Sequence, residues 1–399
     1  MPVMSFDAAR VRGLYPRVDA VTAHLDGTFG ALQPESVIRA IIATLRAAPA
    51  QPGSGSARSR RATESAQAAR AAMGDLVGAP ARDVVLGPNA PALMLRFAAL
   101  LSRDWTLADE VVLSRADADL TVRAFQRMAR THGAVLRWAE VDLDEGSVPT
   151  WQYEQLLSDR TRVVTVTLAN PALGTVPDVR AIVELAHQYG ALVVVDAGAS
   201  LPHVALDLAD LGADLLVISA ATFGGPTVAA AVAAPGVLAQ LEGDAALPLP
   251  ERFEFGPLPV ELLDGLTAAV DHLAGLEEWA AGTRRDRIVT SLDSAGEYAQ
   301  VLYQRMDDGL RALRGLTVLG GSDERLPMAA FTVAGNTPAQ VAEFLGYRGV
   351  SVWSGPSGYG QLLTAYGADE FGGAVFAGVM PHNTPAEVDH LLDALSLLV

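Results

Sequence analysis

The chain has no cysteine and no lysine, and these two absences exclude several kinds of chemistry. Without thiols it can form neither a disulfide nor a thiolate metal site, and it has no thiol nucleophile. Without lysine no side chain offers the primary amine that an internal Schiff base requires. All 29 basic residues are therefore arginine.

Positive charge and long apolar runs are also scarce. The formal net charge is −17, so no basic face is expected to neutralise the phosphates of a nucleic acid. The basic cluster at 56–70 is interpreted as a loop and the exposed start of a helix. No uncharged apolar run reaches about 18 residues and the first 20 residues lack a signal-peptide core, which predicts a cytoplasmic protein without a membrane span. No His, Asp or Glu grouping has metal-ligand spacing, so no metal is expected.

What is present is an alternation of apolar strands and amphipathic helices through the middle of the chain. Continuous β-branched runs of this kind predict buried parallel strands joined by helices. The predicted strands are 83–89, 110–116, 134–141, 162–170, 191–198, 214–221 and 228–234.

After Pro257 the pattern changes to a long helical stretch followed by short strands and two further helices, at 337–346 and 385–398. This pattern predicts a second, smaller α+β unit. The predicted division is an N-terminal segment (1–30) that packs with the small domain, a large α/β domain (31–256), an interdomain helix (257–285) and the small domain (286–399).

Three motifs carry a resemblance to a known family. "VVVDAGASLPHVALDLADLGADLLVISAATFGGP" (193–226) resembles an Asp, Pro-His, Gly-x-Asp, Ser-x-x-Lys-x-x-Gly-Pro stretch. "ANPALGTVPDV" resembles a Ser-Asn-x-x-Gly-Thr turn, and "RFEFGPLPVELL" resembles an Arg-Phe-Glu-x-Gly-Thr turn. All three belong to the cysteine desulfurase-like, class V aminotransferase family of fold type I pyridoxal phosphate (PLP) enzymes. The likeness extends over nearly the whole chain.

The resemblance implies the fold class: α/β, PLP-transferase-like of fold type I, with a seven-stranded, mostly parallel sheet and a smaller α+β C-terminal domain. It also implies a homodimer. It assigns two retained positions, Asp196 beside the pyridine nitrogen and Ser219 as a phosphate contact. The family's other functional side chains are replaced here, the Schiff-base lysine by Thr222. The remaining replacements are Ala118, Pro171, Ala199, Pro91, Ala92, Pro257 and Phe376.

Because these replacements remove the covalent anchor, the ring stack, the phosphate contacts and the carboxylate clamp, the sequence predicts that the chain has no cofactor and does not use PLP. The cavity itself is expected to persist beyond the carboxyl ends of the strands. The residues expected to bind a substrate there are Phe376, Phe223, Thr222, Ser219, Trp353, Phe255, Tyr359 and Asn89.

Three residues are candidates for proton transfer. Asp196 ends a buried strand, where desolvation raises a carboxyl pKa and suits a general acid or base; a structural or relic role is the alternative. Asp117 and Asp119 flank the position of the lost stacking residue, so one of them could point into the cavity, although surface helix caps look the same in a sequence. His203 is included, with a structural role favoured.

Two functions fit these observations. The first is a PLP-independent enzyme that uses acid–base chemistry, as in cyclisation, isomerisation or elimination, on a small, partly apolar metabolite, with secondary metabolism as one setting. The alternative is a catalytically inactive scaffold or binding protein with the same fold. A third interpretation, non-covalent binding of PLP or its amine form, predicts visible absorption or a thermal shift with PLP.

Overall fold

The computed structural model describes residues 6–16, 18, 22–243, 246–321, 325–356 and 358–399. The helices are α1 (Ala8–Arg12), α2 (Glu35–Arg46), α3 (Ala57–Val77), α4 (Ala90–Leu101), α5 (Asp119–His132), α6 (Thr150–Leu156), α7 (Val179–Gln188), α8 (Leu208–Leu211), α9 (Val237–Gln240), α10 (Val260–Ala274), α11 (Arg284–Ala312), α12 (Pro338–Gly346), α13 (Gly360–Ala365) and α14 (Pro385–Ser396). The strands are β1 (Ala23–His24), β2 (Val84–Gly87), β3 (Glu110–Ser114), β4 (Val135–Ala139), β5 (Thr161–Thr167), β6 (Leu192–Asp196), β7 (Leu215–Ser219), β8 (Ala229–Ala233), β9 (Leu316–Val318), β10 (Met328–Val333), β11 (Val350–Ser351), β12 (Trp353–Gly355) and β13 (Ala374–Gly378).

The principal sheet has seven strands in the order β2-β8-β7-β6-β5-β3-β4. The strands from β7 to β4 pair in parallel, whereas β8 is antiparallel to both of its neighbours. This arrangement confirms the predicted seven-stranded, mostly parallel sheet. The predicted β-branched runs form its strands because helices cover both faces of the sheet and bury the apolar side chains.

Helix α7 shows how closely local sequence specifies an element. The side chain of Asp178 accepts a hydrogen bond from the Ala181 N–H and caps the helix start. Ile182 and Ala186 are buried against the sheet as their spacing predicts. Gly190, just beyond the helix, has a φ of +71°, a conformation that favours glycine.

At one edge of the principal sheet, a side chain pairs with the backbone groups of one residue. Strand β4 is the edge strand, and its residues alternate between exposed and half-buried along most of its length. Glu140 directly follows this strand. The Gln152 side-chain amide accepts a hydrogen bond from the Glu140 N–H at 2.7 Å and donates one to the Glu140 carbonyl at 2.8 Å. The amide therefore occupies both backbone groups, as a neighbouring strand would.

A second, four-stranded antiparallel sheet has the order β12-β13-β10-β9. Residues of α11, α12 and α14 form a separate apolar cluster with it. Ala23 and Leu25 belong to that cluster, and β1 pairs in parallel with β11. The exact domain boundaries stay a prediction. Across the described ranges, no helix is both long enough and apolar enough to cross a membrane.

Candidate functional site

A cavity of about 260 Å³ lies at the carboxyl ends of the parallel strands. Strand β6 ends in Asp196 and β7 ends in Ser219, while α4 and α5 begin at the same edge of the sheet. Ligands of open α/β sheets bind at this edge because loops and helix starts converge there. The cavity is lined by Thr28, Phe29, Ala90, Pro91, Met94, Ala118, Leu120, Thr121, Pro171, Asp196, Gly198, Ala199, Ser219, Thr222 and Tyr359.

Asp196 is the carboxylate that faces this cavity. It accepts a hydrogen bond from the Gly198 N–H at 3.2 Å and a long one from the Thr121 hydroxyl at 3.5 Å. Burial raises the pKa of Asp196 to about 6, and the nearby Asp117 carboxylate adds to the rise, while the two hydrogen bonds oppose it. An ionised carboxylate accepts about four hydrogen bonds, so Asp196 keeps acceptor capacity for a group within the cavity.

Asp117 does not point into the cavity. It is 1% exposed and accepts hydrogen bonds from the Ser114 N–H and from the hydroxyls of Thr165 and Thr167. Burial raises its pKa, and these donors oppose the rise. The side chain therefore ties β3 to β5 within the sheet, a structural role that its position in the sequence did not reveal.

The turn after β7 carries Ser219 and Thr222, which both line the cavity. The Thr222 hydroxyl donates to the Ser219 carbonyl at 2.7 Å, which closes the single 3₁₀ turn at 220–223. Gly224 follows with a φ of +83°, and a Cβ there would lie 2.7 Å from the Leu32 carbonyl oxygen. Only glycine fits this turn, so the position of Thr222 is fixed by the backbone around it.

Phe29 is the centre of an aromatic group beside the cavity. Its ring centroid lies 5.3 Å from that of Phe376, 5.9 Å from that of Trp353 and 6.2 Å from that of Tyr359. Of these residues, Phe29 and Tyr359 line the cavity. Phe376 is fully buried behind them in β13, because it packs edge-on against Phe29 within an apolar cluster.

The other predicted site residues lie outside the cavity lining. Phe223 is 2% exposed in the main apolar core, and Phe255 is exposed on the surface under the Arg96 guanidinium. Trp353 donates its indole N–H to the Asp26 carbonyl, and its ring packs edge-on against Phe29, which lines the cavity. Asn89 caps α4 by accepting the Ala92 N–H.

Two predicted proton-transfer residues are also separated from Asp196. Asp119 accepts the Gly360 N–H at 3.1 Å and lines a neighbouring cleft with Arg115 and Arg123. His203 is 4% exposed, and burial lowers its pKa to about 3. Among the described residues neither of its ring nitrogens has a hydrogen-bond partner. Desolvation keeps this imidazole neutral, which suits a packing role rather than proton transfer.

Sequence reasoning missed seven residues that line the cavity: Thr28, Phe29, Ala90, Met94, Leu120, Thr121 and Gly198. Thr121 lies on the first turn of α5, two residues beyond a predicted candidate. Thr28 and Phe29 follow "HLDG" at 24–27, a segment within the nearly full-length likeness to the family to which the sequence assigned no functional residue. They could have been predicted from the family resemblance, because a segment that aligns with a known fold can be placed beside the cavity of that fold.

No group of three or more His, Cys, Asp or Glu side chains that could bind a metal occurs among the residues that the structure describes. The cavity's ionisable side chains are Asp196 and Tyr359. Burial and the nearby carboxylates of Asp196, Asp117 and Asp119 raise the pKa of Tyr359 well above its ordinary value, so its hydroxyl stays protonated. The cavity therefore offers one carboxylate and one phenol.

Comparison with known proteins gives a consistent result. The model of the family described as "Aminotransferase class-V" matches residues 23–391. An uncharacterized protein, MT3887, from Mycobacterium tuberculosis (strain CDC 1551 / Oshkosh) is 35% identical, and the match covers 99% of this chain and 100% of that protein. A probable cysteine desulfurase from Mycolicibacterium paratuberculosis is 28% identical over 84% of this chain but only 49% of its own length, so this chain spans about half of that relative.

The fold has solved counterparts. The apo structure of a cysteine desulfurase from Thermococcus onnurineus NA1 superimposes with a TM-score of 0.87 and 22% identity, covering 98% of both chains. This likeness shows the fold type I architecture that the resemblance implied.

These comparisons correct the prediction about the cofactor. The sequence predicted that PLP is lost, but the class V match over residues 23–391 and the relatives named cysteine desulfurases point to a PLP family. The prediction was wrong because it gave the replaced contacts more weight than the retained Asp196, Ser219 and cavity, all of which are present.

The residues of the cavity fit part of this cofactor. Asp196 suits a protonated ring nitrogen, since its acceptor capacity is unfilled. The Ser219 hydroxyl, which lines the cavity, suits a phosphate oxygen. Thr222 and the start of α4 fit a phosphate less well, because the Thr222 hydroxyl donates to the Ser219 carbonyl, Pro91 has no N–H and the Ala92 N–H is bonded to Asn89. A covalent bond to a lysine does not fit, because the chain contains no lysine.

Proposed function

The chain belongs to the aminotransferase class-V family, and from this premise we propose that it is a small-molecule enzyme whose reaction centre is the Asp196 cavity. In this proposal its cofactor is PLP or the amine form of PLP, held without a covalent bond. One observation carries the proposal: Asp196 is the carboxylate that faces the cavity, with a raised pKa and unfilled acceptor capacity.

The roles follow from the contacts. Asp196 would hold the protonated ring nitrogen, and the Gly198 N–H and the Thr121 hydroxyl would keep its carboxylate in place. The Ser219 hydroxyl would contact the phosphate. When bound, PLP would supply an electron-withdrawing ring to a substrate amine, and its amine form would supply one to a substrate carbonyl.

Tyr359 is the ionisable lining residue left to act on the substrate. Its phenol remains protonated because burial and three carboxylates raise its pKa, so it donates a hydrogen bond and gives up its proton only to a strong base. Elimination, isomerisation or cyclisation of a small, partly apolar amine fits these groups, since such reactions need proton transfer and a shaped pocket.

A second candidate is desulfuration of cysteine, favoured by the names of several relatives. The chain has no cysteine, so sulfur removed from a substrate could not be carried on a thiol of this protein. If this function holds, incubation with L-cysteine and cofactor releases free sulfide. Absence of sulfide under conditions where the cofactor is bound removes this candidate.

Cofactor binding is the direct test. We expect PLP and its amine form to give saturable visible absorption or fluorescence changes and a thermal shift, all reversed by dialysis. Asp196→Asn should weaken binding by about 10-fold or more, because one charge-assisted hydrogen bond is worth about 1.5–3 kcal/mol. Asp178→Asn, at the cap of α7, is the matched control and leaves binding unchanged.

Thr222→Lys makes the test sharper. This variant places a primary amine on the cavity wall, so PLP should bind with absorption that resists dialysis and is removed by borohydride trapping. Wild-type protein without any absorption or thermal shift, together with a Thr222→Lys variant that also fails to bind, would overturn the proposal.

The homodimer is part of the same proposal. Several exposed apolar side chains, Leu247, Leu249 and Phe255, lie in one stretch of the chain near a second, apolar pocket, and surfaces of this kind are typical of subunit contacts. Phe255→Glu should shift the mass in solution toward a monomer, as measured by light scattering. Leu107→Glu, at an exposed leucine elsewhere, is the control.

A further inference from the structure

Among the described residues that line the cavity, Asp196 is the acid, and neither arginine nor histidine is present. Asp117 lies behind it, and burial raises its pKa while its three hydrogen-bond donors oppose the rise. A ligand that carries a carboxylate therefore meets no cation among the described residues that line the cavity.

The arginine nearest to this region in the sequence is directed elsewhere. Arg115 lines the neighbouring cleft, where its guanidinium donates to Gln361, contacts Glu140 at 3.3 Å and lies 4.1 Å from the Trp138 ring centroid. These contacts hold it away from the Asp196 cavity.

The position that the family resemblance connects with a carboxylate clamp is apolar in this chain. Phe376 is fully buried and packs against Phe29, which forms part of the cavity wall. Leu120, Met94 and Pro171 extend the apolar wall. A carboxylate placed against such a wall would lose its hydration without gaining a hydrogen-bond donor or a cation.

From these observations we propose that the substrate is a small apolar amine that carries no carboxylate group, and not an α-amino acid. The inference deepens the proposed function and rests on it, because the Asp196 cavity is taken as the reaction centre. Asp196 and Ser219 are assigned to the cofactor, so the substrate meets the apolar wall and the Tyr359 hydroxyl. An amine on a hydrocarbon group matches both, because the wall takes the hydrocarbon and the hydroxyl can form a hydrogen bond with the amine.

The test uses two compounds that differ only in the carboxylate, isobutylamine and L-valine. Their binding is measured by calorimetry and by thermal shift on the full chain, with and without PLP. We expect isobutylamine to bind about 10-fold tighter than L-valine or more, because desolvation of the carboxylate is uncompensated. Equal or tighter binding of L-valine, or failure of both compounds to bind, overturns the inference.

A variant supplies the missing cation. Leu120 is 51% exposed on the first turn of α5 and lines the cavity, so Leu120→Arg can be accommodated where a substitution of buried Phe376 would disturb the core. This variant should raise the affinity for L-valine by about 10-fold and lower that for isobutylamine. Leu107→Arg, at a surface leucine that is 78% exposed, is the control and changes neither affinity. If Leu120→Arg leaves the ratio of the two affinities unchanged, this result also counts against the inference.

Failure of this inference and failure of the proposed function give different results. If the cofactor binds reversibly but L-valine is preferred, the substrate class is wrong and the reaction centre stands. If the cofactor does not bind while the amine preference and the Leu120→Arg effect are both seen, the cavity selects amines but the cofactor proposal fails.

Discussion

Asp117 follows β3 and Asp196 ends β6, on either side of β5 at the same edge of the sheet, yet their hydrogen bonds differ. Asp117 accepts three hydrogen bonds from groups of β3 and β5 and has no contact with the cavity. Asp196 accepts one ordinary bond and one long bond, and it faces the cavity. The difference indicates which buried carboxylate is structural and which one is available to a ligand.

The largest expected effect comes from removing the satisfied carboxylate. Asp117→Ala leaves the Thr165 and Thr167 hydroxyls and the Ser114 N–H without their acceptor inside the sheet. We expect the free energy of unfolding to fall by about 3–5 kcal/mol, since each buried donor left unpaired costs about 1–3 kcal/mol. Urea denaturation measures this. A loss below about 1 kcal/mol would mean that Asp117 is not the structural member of the pair.

Asp196→Asn should raise the free energy of unfolding, whereas Asp117→Ala lowers it. The folded pKa of Asp196, about 6, lies above the ordinary value of 3.8, so the folded state prefers the protonated form and ionisation costs stability at higher pH. At pH 8 the variant should therefore be more stable by up to about 3 kcal/mol, at 1.36 kcal/mol per pKa unit. This gain should shrink as the pH falls through 6 and vanish near 4. Destabilisation at pH 8 would contradict the distinction between the two carboxylates.

His203 extends the comparison to a buried base. Its folded pKa, about 3, lies below the ordinary value of 6.5, so the unfolded state takes up a proton first and the protein loses stability as the pH falls below 6.5. At pH 5 this loss is about 2 kcal/mol for one such histidine. His203→Leu should reduce the difference in stability between pH 8 and pH 5 by about that amount. An unchanged pH dependence would exclude desolvation as the cause.

Asp178→Ala measures the smallest effect in this series. Asp178 is an exposed carboxylate with a single backbone hydrogen bond, at the start of α7. Loss of such a cap costs about 1 kcal/mol. Chemical denaturation at pH 7 should give this value without a change in cofactor binding. If Asp178→Ala lowered the free energy of unfolding as much as Asp117→Ala, the number of buried donors left unpaired would not determine the loss of stability.

The strands and the fold could be predicted from the sequence because their signals are local. The β-branched runs that become β5, β6 and β7 are visible as continuous apolar segments, and Asp196 is visible as the first acid after such a run. The prediction of a cavity beyond these strand ends agrees with the structure for Asp196, Ser219, Thr222 and Tyr359. The catalytic and binding roles of these residues stay predictions.

The rest depended on contacts between distant segments. The alternation of Thr165 and Thr167 along β5 places two hydroxyls on one face of the sheet, but the sequence does not say that Asp117 lies opposite them. Phe223 follows β7 at the cavity edge, yet its side chain turns into the core. The direction of a side chain in a short turn depends on packing with other elements. It cannot be predicted from the periodicity of the sequence.

The amide of Gln152 has a consequence for how the molecules behave toward one another at high concentration. An exposed strand at the border of a sheet can recruit a strand from another molecule through its free N–H and C=O groups. Since the Gln152 side chain occupies both groups of Glu140, the carboxyl end of this border offers no pairing site to a neighbour. The Gln152 side chain therefore disfavours the addition of a foreign strand at this end of the sheet.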